Sequence, residues 1–224
     1  MLQRILVLWL TECVYCSNFV YHLNDGRLKC YKCHKKISKK KINKIITLID
    51  AFIENETALQ TSKRLQLSYA SVQKSFLFFR LLCSVISQNE YDKIKNLPCE
   101  YEEYFYIENS KKKIQKSIFE AINFLTFDYN NHIYTILLPQ IINYSEDSFS
   151  DKEFKKFKRD SKLIKVNRFH NNINRFWNYL EKNILHYKGV DKNKFGYFLK
   201  ELEFKYNHSK EEAKDLLIKE YFKQ

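Results

Sequence analysis

An α+β chain made of several small domains is what this sequence predicts, and three observations carry the prediction. Two CxxC pairs stand near the start, 13 residues apart. Apolar residues then recur at helical spacing from 42 to 82. From Phe124 to Leu138 the chain reads instead as two strands on either side of an Asn-Asn turn. The 224 residues can hold one medium domain or two or three small ones, and 45% hydrophobic content suffices for real cores and excludes a disordered chain. With Gly 3 and Pro 2, a turn-rich all-β fold is disfavoured.

The charge balance points to a partner class. Lys and Arg number 39 against 26 Asp and Glu, a formal net charge of +13. Such an excess calls for a polyanion, nucleic acid first and a membrane surface second. No run approaches the roughly 18–20 apolar residues of a membrane span. The opening "MLQRILVLWL" has the short apolar character of a secretory leader, but Thr11-Glu12-Cys13 follows without a small-residue cleavage site. The expectation is a cytoplasmic, nucleoid-associated protein with no membrane partner.

The first element is a metal site. In a reducing compartment the pattern Cys13, Cys16, Cys30, Cys33 means metal more often than disulfides. Between the pairs, Phe19, Tyr21 and Leu23 alternate, Asn24-Asp25-Gly26 supplies a turn, and Leu28 resumes. That is a β-hairpin with a cysteine knuckle at each end, the layout of a zinc ribbon. Four thiolates so spaced can close tetrahedrally on one Zn²⁺, and a unit this small needs the metal for its folding free energy. The other reading, Cys30 to His34 as a CxxCH haem attachment, requires export and would leave the first CxxC idle. Residues 35–41, "KKISKKK", then form a basic linker in which Lys39, Lys40 and Lys41 can meet phosphates. The first domain is therefore expected at 1–40.

Residues 41–85 are expected to be a helix-turn-helix DNA-binding domain. Ile42, Ile45, Ile46, Ile49, Phe52 and Ile53 make one helical stripe. Thr57 can start a second helix through about Leu65. Leu67 and Ser68 fit a tight turn, with Ser68 capping a third helix whose Val72, Phe76 and Phe79 or Phe78 face inward. On that third helix Tyr69, Ala70, Gln73 and Lys74 would face the major groove of double-stranded DNA.

The character changes after about residue 98. "EYEEYFY" reads as an acidic strand, and Phe124, Thr126, Asp128, the Asn130-Asn131 turn and Ile133–Leu138 read as a β-hairpin. Residues 143–162 read as a loop with a short basic helix, and "LIKV" at 163–166 as a further strand. From Asn171 onward the pattern is helical with a break at Lys188-Gly189, and 191–207 is an amphipathic helix. Residues 210–224 form a charged C-terminal helix.

In their order these parts resemble the insertion-sequence transposases that carry an N-terminal zinc ribbon and an RNase H-like DDE core. The matching residues are the four cysteines, "EYEEYF" (100–105), "HIYT" (132–135), "HNNINRFW" (170–177), "YKGV" (187–190) and "LKELEFKYN" (199–207). The resemblance implies a shortened RNase H-like α/β domain over 98–209, DNA strand cleavage and transfer, and two Mg²⁺ held by carboxylates. It also implies a homodimer or higher oligomer on DNA. It places Glu102 at the first acid, where the family has Asp, and Asn174 at the third ligand. It places Glu181, with Lys182 beside it, where a basic residue is expected. No motif for the second acid follows the hairpin; Asp128, Asp151 and Asp160 are the acids at hand. The resemblance with these departures implies a DNA-binding, transposase-like protein with an impaired catalytic core, the alternative being an active Mg²⁺-dependent transposase.

Overall fold

The computed structural model describes residues 11–106, 122–138, 172–185, 187 and 192–223. It is mixed α and β, with six α-helices and two three-stranded antiparallel sheets among those residues. The chain divides into two units, 1–83 with 208–224, and 84–207.

In the first unit, β1 (Val20–His22), β2 (Leu28–Cys30) and β3 (Lys36–Ile37) pair in that order. The turn between β1 and β2 is the expected one, with Gly26 at φ +75°, a conformation glycine adopts without strain. One expectation is corrected here. Residues 35–41 are no linker: Lys36 and Ile37 add a third strand, and a helix begins at Lys39. The reason is Ile37, which is buried while its neighbours are not. In the sheet Phe19 and Tyr21 are exposed, and the buried face carries Leu28, Cys30 and Ile37. Metal-ligand geometry decides which face turns in, because Cys30 must reach the other thiols.

Helix α1 (Lys39–Ile53) is capped by Ser38, whose side chain accepts from the Lys41 N–H, and it buries the whole predicted stripe from Ile42 to Ile53. Helix α2 (Ala58–Leu65) starts on a full capping box between Thr57 and Gln60. Gln66, in the left-handed region at φ 53°, ends it, and the Leu67 N–H closes back on the Ser62 carbonyl. Ser68 then caps α3 (Tyr69–Ile94), its hydroxyl accepting from the Ser71 N–H at 3.3 Å. Phe52 meets Phe76 and Phe79 edge-to-face at 5.3 and 5.6 Å between centroids. Phe79 is the buried member of the Phe78-Phe79 pair. The C-terminal helix, α6 (Lys210–Lys223), is an integral part of this unit. Its charges are not simply solvated: Lys214 pairs with Asp50 of α1, while Ala213, Leu217, Ile218 and Phe222 are buried. By length and composition α3 is long and apolar enough to cross a membrane. Its stripe of Val72, Phe76, Phe79, Leu82, Cys83 and Ile86 is buried within the protein.

The second unit is built on β4 (Glu100–Tyr106), β5 (Ile122–Tyr129) and β6 (His132–Leu137), in that order. Asn130 and Asn131 both take positive φ, 55° and 71°, as a two-residue primed hairpin turn requires. Central β5 is covered on both faces. Leu125, Phe127 and Tyr129 pack with Cys99 and with Tyr91 and Ile94 of α3. On the other face Phe124 joins α4 (Asn172–Ile184) and α5 (Phe195–Asn207) through Ile173, Phe176, Leu180, Phe195, Leu199 and Leu202. Helix α5 also runs along β6, where its side chains engage the strand's backbone. Asn207 accepts from the Ile133 N–H and donates to the Ile133 carbonyl, and Glu203 accepts from the Thr135 N–H at 2.7 Å. The loop and basic helix expected at 143–162, the strand at 163–166 and the break at 188–189 lie outside the described residues, as do Asp151 and Asp160.

Candidate metal centre and nucleic-acid surface

The four cysteines come together as the spacing predicts. Their Sγ atoms all lie within 4.8 Å of one another, with Cys13 to Cys33 at 3.6 Å and Cys16 to Cys30 at 3.4 Å. Four sulfurs at about 2.3 Å from a tetrahedral zinc stand about 3.8 Å apart, so the cluster fits a structural Zn²⁺. Each knuckle sends a backbone N–H to sulfur, Tyr15 to Cys13 and Cys33 to Cys30, both at 3.4 Å. Burial pushes the Cys13 thiol up to about 12, against the backbone donors of Tyr15 and Cys16. Burial also raises Cys30, but the Cys33 N–H and the thiols of Cys16 and Cys33 outweigh it and bring this group down to about 6. Ligation needs every thiol in its thiolate form, so binding of the metal releases protons.

Tyr69, Ala70, Gln73 and Lys74 are all exposed over the first two turns of α3. Lys40 and Lys41 are exposed in the first turn of α1, with Lys39 partly covered. Lys41 also borders a cleft of about 360 Å³ together with Arg27 and Lys36, over a floor that includes Ile37 and Ile42.

In the second unit Glu102 lies in β4 opposite Thr126, and Asn174 in the first turn of α4. Contacts set the register of helix on sheet. The Trp177 indole N–H donates to the Thr126 hydroxyl at 2.9 Å, and one turn on, Glu181 accepts from Tyr104. Tyr104 packs on Trp177 with ring centroids 4.6 Å apart. Glu102, two residues before Tyr104, shares its face of the sheet, and Asn174, three before Trp177, shares its side of the helix. Asp128 shares that face too, paired in register with Glu100. Burial raises the Asp128 carboxyl, held back by the Asn172 carboxamide and the Asn131 N–H. Burial next to Glu181 likewise raises the Tyr104 hydroxyl.

Sequence reasoning missed the charges buried on α5. Glu203, fully buried, accepts from the Thr135 N–H and hydroxyl and from Lys200, whose ammonium lies 3.7 Å from the centre of the Tyr134 ring. Glu201, also buried, accepts from Tyr187 at 2.6 Å and pairs with Lys205. Locally these carboxylates read as i, i+3 and i, i+4 partners of Lys200 and Lys205, so the sequence carried no signal of their burial. Among the described residues the four cysteines are the one grouping of three or more His, Cys, Asp or Glu side chains within reach of a common metal ion. No protein-family model matches this chain, and no curated protein or solved structure is similar to it.

Proposed function

We propose that the chain is a DNA-binding, transposase-like protein that reads duplex DNA through α2 and α3, with an impaired catalytic core. The observation that carries the reading is the α2-turn-α3 arrangement. Two capped helices are joined by the short Gln66–Ser68 turn, and Tyr69, Ala70, Gln73 and Lys74 are all exposed at the start of the second. Lys39, Lys40 and Lys41 supply phosphate contacts nearby in sequence. A homodimer on DNA is supported by Leu77, Leu81 and Val85, apolar and exposed at i, i+4 and i+8 of α3. Quantitative binding to duplexes of varied sequence tests the reading. Gln73→Ala with Lys74→Ala should flatten sequence preference, costing about 1–3 kcal/mol on the preferred site. Lys39, Lys40 and Lys41 to Gln should lower affinity for every duplex and reduce the salt slope by about one per lysine. Salt-independent binding, or preference intact in the first variant, rejects it.

Impairment is favoured by Glu181, an acid bonded to Tyr104 at the place where a basic residue would meet the scissile phosphate. A negative charge there repels the phosphate and offers no oxyanion stabilisation. Glu in place of Asp at 102 points the same way. A second reading, Mg²⁺-dependent cleavage and strand transfer, is favoured by Glu102 and Asp128 sharing the sheet face that α4 covers, with Asn174 on the Trp177 side of that helix. With Mg²⁺ or Mn²⁺ we expect at most trace cutting of candidate element ends. Robust cutting that disappears in both Glu102→Ala and Asn174→Ala would establish the second reading instead.

A further inference from the structure

The first sheet has one buried face and one bare face, and the bare face carries aromatic rings. Leu28, Cys30 and Ile37 point inward at 1%, 0% and 2% exposure. On the other side Phe19 is 77% exposed, Tyr31 78% and Tyr21 43%. They are not scattered. The Tyr31 N–H bonds the Phe19 carbonyl at 3.1 Å, which seats these two side by side, and Tyr21 follows two residues along the same strand. The register then runs Tyr21 to Lys29 to Lys36 across all three strands, so two ammonium groups share the face with the three rings. Lys32, exposed next to Tyr31, adds a third cation to its rim.

We propose that this face binds single-stranded nucleic acid, its rings stacking on bases and its lysines meeting the phosphates between them. The chemistry is that of a stacking platform within an electropositive surface. Residues two apart in a strand stand about 6.6 Å apart, so Phe19 and Tyr21 can each take a separate base. A duplex cannot use the rings, because its bases are already stacked on one another. Charge complementarity selects this occupant: Lys29, Lys32 and Lys36 lie among the rings on a chain of net charge +13, against the carboxylate of Glu12, which bridges Phe19. The site is separate from the duplex-reading surface of α3, so either can fail without the other.

The test uses the full chain loaded with zinc and fluorescence anisotropy on three probes. These are an oligothymidylate and an oligouridylate of about 12 nucleotides and a mixed-sequence duplex. The unaltered protein should bind at least one single strand, and comparing the two tells DNA from RNA. Phe19→Ala with Tyr31→Ala should weaken that binding about 100-fold, about tenfold per ring. Zinc content and duplex affinity should stay unchanged, and Tyr31→Trp should bind as the unaltered protein does. Absence of single-strand binding by the unaltered protein overturns the proposal. So does single-strand affinity unchanged in the double variant with zinc retained, or an equal loss on the duplex.

Discussion

Stripping the metal with a chelator, or replacing Cys30 with Ser, should unfold the β1–β3 sheet while leaving the helices of the first unit intact. The strands are three, three and two residues long, and the sheet buries little besides Cys13, Leu28, Cys30 and Ile37. Isolated strands of that length have no independent stability in water. A structural zinc supplies about 10–16 kcal/mol at neutral pH, more than the whole stability of an ordinary domain. Helices α1, α3 and α6 have their own core in Phe52, Phe76, Phe79 and Leu217, so helical circular dichroism should persist. Acidification should release the metal, because thiolates that take up protons no longer ligate. The measurement is zinc content alongside limited proteolysis, with new cuts expected between residues 11 and 38. Protection in the metal-free protein equal to that of the loaded one would refute it.

Replacing Glu203 with Ala should destabilise the second unit by about 3–5 kcal/mol, read from chemical denaturation. The change removes the acceptor of the Thr135 N–H and hydroxyl and leaves the Lys200 ammonium without its anion. Burial already depresses the Lys200 pKa against the pull of Glu203, so without that carboxylate the lysine must shed its proton or draw water into the core. Glu203→Gln with Lys200→Met separates the two costs. It keeps an acceptor for Thr135 and removes the buried charge, and it should recover most of the loss. A change below about 1 kcal/mol for Glu203→Ala would show the pair to be incidental.

Much of this fold is legible in the sequence wherever local chemistry decides the outcome. Thr57 and Ser68 announce their helices because a hydroxyl three residues ahead of an orphan N–H caps it in any context. Asn130-Asn131 announces its hairpin because both residues tolerate positive φ. The cysteine spacing announces the metal cluster because tetrahedral closure admits few alternatives. What stays hidden depends on distant partners. Glu201, Lys205, Lys200 and Glu203 read as a solvated helix face by their i, i+3 and i, i+4 pairing, and only Tyr187 and β6 reveal them as buried. The strand at Lys36-Ile37 is too short to carry a period. Helix α6 looks like a free charged tail until Lys214 meets Asp50. Glu102 and Asn174 come to the side of the sheet where Thr126 meets Trp177 only through the sheet register, which no local pattern encodes.

The coverage of β6 by α5 has a consequence for growth of the second sheet. Backbone groups on an outermost strand are a template on which another chain can add itself, the usual route to aggregation. At Ile133 and Thr135 that template is already occupied, by Asn207 on both the N–H and the carbonyl and by Glu203 on the N–H. A strand of another copy adding along β6 would meet these side chains at Ile133 and Thr135, and the turn of α5 that carries Glu203 and Asn207 acts as a stopper there.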